Sequence, residues 1–144
     1  MNLSPRLVRL INLLVVAGTG TVLGLSGWLT PSTEGHSTHL QLGLKQCTFL
    51  TLTHYPCPMC GMTTTFAHMA HGHLLSAIVT QPFGVVLFSM TVFSFVVSLL
   101  DLIQPRERWT RILDRLAPWE TWLAAIFLIG MGLGWLYKIA VMRG

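Results

Sequence analysis

The 144-residue sequence predicts an all-α integral membrane protein with three transmembrane helices, and three observations predict it. Hydrophobic residues make up 52% of the chain and charged residues only 10%, with a mean hydropathy of +0.63, which is not the balance of a soluble domain. Three apolar runs, at about residues 8–29, 83–103 and 119–141, match the roughly 20 residues a helix needs to cross a bilayer. The nine Lys and Arg residues sit mostly beside those runs, with no basic face interleaved with aromatics. The formal charge of +4 therefore reads as membrane topology and not as nucleic-acid binding. The length allows one domain, residues 1–144.

A short basic lead containing Arg6 and Arg9 opens the chain, and Leu10 to Thr33 then carries no Asp, Glu, Lys or Arg. This run is too long for the apolar core of a signal peptide, and no Ala-x-Ala site follows it, so the reading is a retained helix. Gly20 and Gly24 are spaced to line one face, with Gly27 a turn further on, where another helix can approach closely. Residues 30–60 turn polar and rich in Pro, Ser, Thr and His, an irregular segment at the interface. Two short interfacial or re-entrant helices are expected at about 62–71 and 73–80. Thr63 would cap the first, Gly72 would separate them and Pro82 would end the second. Met62, Phe66, Met69 and Ala70 share the apolar face of the first.

Phe83 to Leu100 is the clearest span, and Asp101 follows it. The connection 104–118 holds Arg106, Arg108, Arg111 and Arg115, and its Ile112, Leu113 and Leu116 allow a surface helix closed by Pro118. In the third span Trp119 and Trp122 mark one interface and Trp135 and Tyr137 the other. Gly130, Gly132 and Gly134 repeat the small-residue spacing. Asp101 and Glu120 read as solvated charges at helix ends. With the N-terminus inside, six basic residues lie on the cytoplasmic side, against Lys45, Lys138 and Arg143 opposite. The expected location is the inner membrane, with residues 30–82 and the C-terminus outside the cytoplasm.

The chemistry is confined to one stretch. All three cysteines fall between Cys47 and Cys60, and all six histidines between His36 and His73. Cys57-Pro58-Met59-Cys60-Gly61 is a turn in which Pro58 presets one dihedral and Gly61 allows a left-handed exit. Cys57 and Cys60 can close a disulfide, natural outside the cytoplasm. They can also act as a redox pair, with Cys60 near a helix N-terminus that stabilises a thiolate. The same turn can equally serve as a metal knuckle. Cys47 with His54, His68 or His71 would complete a tetrahedral site for zinc, and the thioethers of Met59, Met62 and Met69 would favour copper(I). His73 would point away from His68 and His71 if the first short helix continued through Gly72. The residues name no obligatory cofactor. There is no phosphate loop and no Ser-His-acid set, so no catalytic residue is assigned.

Cys57-Pro58-Met59-Cys60-Gly61-Met62-Thr63, the following helix, His71-Gly72, Ala77 and Gln81-Pro82 before a span resemble an uncharacterised family of small bacterial membrane proteins, the domain of unknown function 2752. That family's motif runs Cys-Pro-x-Cys-Gly-x-Thr-Arg, then a helix, a Gly and Asn-Pro, and the resemblance covers about residues 47–103. Here Thr64 stands where the family has Arg, and Gln81 where it has Asn, so a cation beside the thiols is missing from the motif. The resemblance implies the architecture and supplies no reaction. The leading reading is a non-enzymatic subunit or accessory factor in the bilayer, with a membrane-protein partner or self-association. Its alternatives are a membrane thiol–disulfide oxidoreductase and a metal-binding or metal-delivery protein.

Overall fold

The computed structural model describes residues 4–32, 38–43, 45, 48–53, 55–104 and 108–143. Among them every regular element is helical: α1 (Pro5–Trp28), a 3-10 turn (Thr38–Leu42), α2 (Thr48–Thr53), α3 (Met62–Ala70), α4 (Leu74–Thr80), α5 (Pro82–Ile103), α6 (Arg108–Leu116), a second 3-10 turn (Ala117–Trp119) and α7 (Glu120–Arg143). Three helices, α1, α5 and the run through α7, are long and apolar enough to cross a membrane. α1, α5 and α7 agree with the expected spans to within a few residues, while the third apolar run extends back through α6 to Arg108.

Local chemistry sets the ends. Ser4 accepts from the Leu7 amide at 3.4 Å and Pro5 occupies the first turn of α1, where its missing N–H costs nothing. Hydroxyls within the spans are satisfied by their own helix: Thr19 donates to the Val15 carbonyl at 2.6 Å, Ser26 to Val22 at 2.7 Å and Thr91 to Leu87 at 2.8 Å. No water is needed to solvate them, as a lipid surround demands. Gln81 is both the last cap of α4 and the first cap of α5, and Pro82 starts α5. The short helices are thereby joined to the span without a linker.

α1 packs along α5, and α3 and α4 sit across the end of the bundle where α1 finishes and α5 begins. α7 meets the rest chiefly around Phe83, in the first turn of α5. The Phe83 ring lies edge-on to Phe127 at 5.1 Å, and a Cβ on Gly130 or Gly134 would come 3.2 or 3.0 Å from Phe83. Small residues do admit a neighbour at Gly20 too, where Phe95 lies 3.2 Å from the Cβ position. Gly24, Gly27 and Gly132 face nothing within 4 Å, so within this chain Gly24 is not a packing residue. The tightest approach is one the spacing did not single out: a Cβ on Gly84 would lie 2.9 Å from Thr65 Cγ2.

Several expectations are corrected. α3 is capped by Gly61, with φ 87° and no side-chain cap bond; Thr63 lies inside the helix, two residues past the capping position. The most buried positions of α3 are Thr64, Thr65 and Ala67, 1%, 0% and 0% exposed, where close approach requires small side chains, while Met62 and Phe66 of the expected apolar face meet α5 at Gly84 and Phe88. Part of the segment 30–60 is helical, in the first 3-10 turn and α2. Asp101 is not solvated: its carboxylate, 3% exposed, accepts from the Arg108 side chain at 2.8 Å and from the Arg108 amide at 2.9 Å, tying α6 to the end of α5. Glu120 is exposed as expected.

Candidate functional site

The motif forms a tight turn. The Cys60 amide donates to the Cys57 carbonyl at 2.9 Å and the Met62 amide to Met59 at 3.0 Å. Gly61 then takes the left-handed conformation, and α3 begins at once, its first bond running from the Thr65 amide to the Gly61 carbonyl at 2.8 Å. Cys57 is half-buried and Cys60 buried at 7% exposure. Met59 between them is 62% exposed.

The turn is held from three directions. Gln81, fully buried, donates to the Pro58 carbonyl at 3.3 Å. Trp135 of α7 donates to the Pro56 carbonyl at 2.8 Å. Behind the start of α3, the Thr64 and Thr38 hydroxyls share a buried bond of 2.8 Å, and Thr38 accepts from the Ser32 amide at 3.0 Å. Thr64, standing where the resembled motif has arginine, therefore ties α3 to the 3-10 turn.

An ionisable side chain does approach the turn, from the other end of the sequence. Lys138 of α7 is only 3% exposed. Its ammonium donates to the Thr80 carbonyl at 3.1 Å and interacts electrostatically with Cys60. Tyr137, the residue before it, donates to the Val79 carbonyl at 2.8 Å. Sequence reading treated Lys138 as a topological charge and Trp135 and Tyr137 as interface anchors. The signal that singles out Lys138 is its position inside an apolar span, where an ionisable residue has a purpose beyond orientation.

The histidines form a separate group. Gly72, with φ 76°, closes α3 in a Schellman turn: His73 donates to the His68 carbonyl at 2.9 Å and Gly72 to Met69 at 3.1 Å. The helix does not run through Gly72, so His73 folds back, its ring centroid 5.9 Å from His68 and 6.3 Å from His71. Burial, and then the like charges of His73 and His71, hold the His68 imidazole below its ordinary pKa. His71 bonds its own Ala67 carbonyl through Nδ1 at 2.8 Å. Among the described residues no three His, Cys, Asp or Glu side chains are placed to hold one metal ion. Cys47 and His54, two candidate ligands from the sequence, lie outside the described residues.

Neither a curated protein nor a solved structure matches the chain. Residues 47–95, from Cys47 through the short helices into α5, match the family model described as a protein of unknown function (DUF2752), the family resembled above.

Proposed function

We propose that Cys57 and Cys60 are a redox-active dithiol at the extracytoplasmic face of an inner-membrane protein, exchanging with a disulfide in a partner protein. The support for this reading is the buried Lys138 side chain, which donates to the Thr80 carbonyl at 3.1 Å and lies within electrostatic reach of Cys60. A cation in a poorly solvated place favours the thiolate, the reactive form of cysteine. A dithiol kept only as a staple gains nothing from it. The difference in exposure assigns the roles. The accessible Cys57 thiolate attacks the partner disulfide, forming a mixed disulfide and expelling one partner thiolate. The Cys60 thiolate then attacks the Cys57 sulfur, closing Cys57–Cys60 and releasing the second. Two electrons pass to the partner, and the two protons lost by the dithiol end on the partner's thiols. The reverse sequence oxidises a partner dithiol.

The test is trapping in cells. Cys60→Ser should accumulate a mixed disulfide through Cys57 on non-reducing gels, and Cys57→Ser with Cys60→Ser should remove it. Absence of any adduct, with both parent thiols always reduced, would overturn the exchange reading. Bound zinc or copper lost on Cys47→Ser would instead favour the metal reading.

A role as subunit or accessory factor is compatible with exchange and has its own support. α7 touches the other spans mainly in the half near Phe83, while Trp119, Trp122 and Ile126 are 61%, 68% and 64% exposed. This exposed apolar face of α7 suits a helix of a membrane partner.

A further inference from the structure

A helix on a water-facing surface turns its large apolar residues inward and its polar ones out. α4 does the reverse. Leu74, Leu75, Ile78 and Val79 share one face of it and all are exposed, Leu75 at 81% and Val79 at 61%, while its buried positions are Ala77 and Thr80. The thiol turn has the same polarity, with Cys60 inward and Met59 outward. Leu136 is exposed as well, between the Trp135 that bonds the turn and the Tyr137 that bonds α4.

The spans give the level of this apolar rim. Gln81 joins α4 to α5 directly, and the ion pair of Asp101 with Arg108 marks the other end of α5. From Pro82 to Asp101 the axial rise is about 29 Å at 1.5 Å per residue, and a hydrocarbon layer is roughly 30 Å thick. α7 leads to the same place: from Trp119 to Trp135 the rise is about 24 Å, with Leu136, Ile139 and Val141 still to follow. The turn and the end of α4 therefore stand at the boundary of acyl chains and headgroups. At that level outward apolar side chains meet lipid. The exposed imidazoles of His71 and His73 lie at the opposite end of α4 from Thr80.

We infer that the rim of Met59, Leu75, Val79 and Leu136 is inserted in the acyl region of the leaflet on that side, so that Cys57 exchanges with disulfides of membrane-anchored proteins, presented from within the bilayer. The partner class rests on the exchange reading above; the placement in lipid rests on exposure and length alone. Charged, water-borne disulfides would lose their hydration on reaching this depth, and are excluded by that cost.

The full chain carrying Cys47→Ser, Cys57→Ser and Cys60→Ser can be spin-labelled at Leu75→Cys or Val79→Cys and placed in nanodiscs of phosphatidylcholine with phosphatidylglycerol. At both sites collisions with oxygen, which concentrates among acyl chains, should exceed collisions with a water-soluble nickel chelate. Asp114→Cys, on the exposed side of α6, should show the opposite order. Nickel in excess at Leu75→Cys and Val79→Cys, in helical and monodisperse protein, would overturn the proposal. So would labels shielded from both reagents, which would assign the face to a second copy or another protein. For the partner class, Cys57 in the Cys47→Ser, Cys60→Ser chain should react with a neutral alkyl methanethiosulfonate at least about tenfold faster than with its sulfonate or trimethylammonium analogue, each rate divided by that of Asp114→Cys. Slowing of both charged reagents separates depth from the field of Lys138, which would slow only the cation. Equal relative rates would overturn the partner class. Lipid-exposed labels with no mixed disulfide in the Cys60→Ser trap would support the placement and remove the exchange reading, so the two failures are distinct.

Discussion

Replacing Gly84 with alanine tests whether the seat of the thiol turn is as tight as the geometry indicates. The added methyl would lie 2.9 Å from Thr65 Cγ2, 3.1 Å from Thr65 Cβ and 3.1 Å from Met62 Sδ. The methionine sulfur can swing aside, but Thr65 is fully buried on α3 and its Cβ moves only with the helix. Overpacking of this kind costs about 1–3 kcal/mol, which corresponds to a roughly five- to 150-fold larger unfolding constant. Since α3 starts directly after Gly61, its displacement also pushes the turn outward, and Cys60 should gain exposure. Gly24→Ala is the control on the same chemistry: nothing lies within 4 Å of its Cβ position, and alanine is the better helix former by up to about 1 kcal/mol. Unfolding of the two variants in mixed micelles, with the iodoacetamide labelling rate of Cys60, reads both effects. The reasoning is refuted if Gly84→Ala unfolds and labels like the parent, or if Gly24→Ala loses as much stability as Gly84→Ala.

Lys138→Met should move the pH midpoint of Cys60 alkylation upward, and Lys138→Arg should restore part of it; an unmoved midpoint would separate Lys138 from the thiol. Asp101→Asn leaves Arg108 without its carboxylate and should weaken the docking of α6 by about 1–3 kcal/mol, seen as faster proteolysis in the 104–118 connection. Asp101→Asn with Arg108→Met should be milder than the single change. The His68 pKa is lowered in the fold by burial and by His73 and His71, so the unfolded chain binds that proton more readily. Stability from this residue is intact above the unfolded pKa of about 6.5 and is lost as the pH falls below it. Thermal unfolding of the parent should therefore drop more between pH 7 and pH 5 than that of His68→Gln.

The spans were legible because length and apolarity alone decide what can cross a bilayer, and Gly61, Gly72 and Pro82 punctuate the cap at places where the backbone demands them. Apolar patterning did not disclose the most buried positions of α3, since close approach selected two threonines and an alanine there over larger apolar side chains. The pair Gly20 and Gly24 illustrates the limit of spacing: the interval is the same whether a neighbour fills one position or both, and only Phe95 against Gly20 tells them apart. Lys138 was hidden for another reason. Its partner Cys60 stands far away along the chain, and no periodicity links a motif to a residue on a different span. Asp101 was misread in a similar way, because the group that buries it belongs to α6, beyond a break in the apolar pattern.

Three donors on α7, those of Trp135, Tyr137 and Lys138, all end on main-chain carbonyls, of Pro56, Val79 and Thr80. The order of synthesis gives this arrangement a consequence in time. The ribosome makes Cys60 roughly 80 residues before Lys138, an interval of about 4–16 s at 5–20 residues per second. Throughout it the nascent cysteines lack both their cation and the Trp135 bond that holds their turn. On the exchange reading proposed above, the two cysteines take their final surroundings only when the last helix inserts.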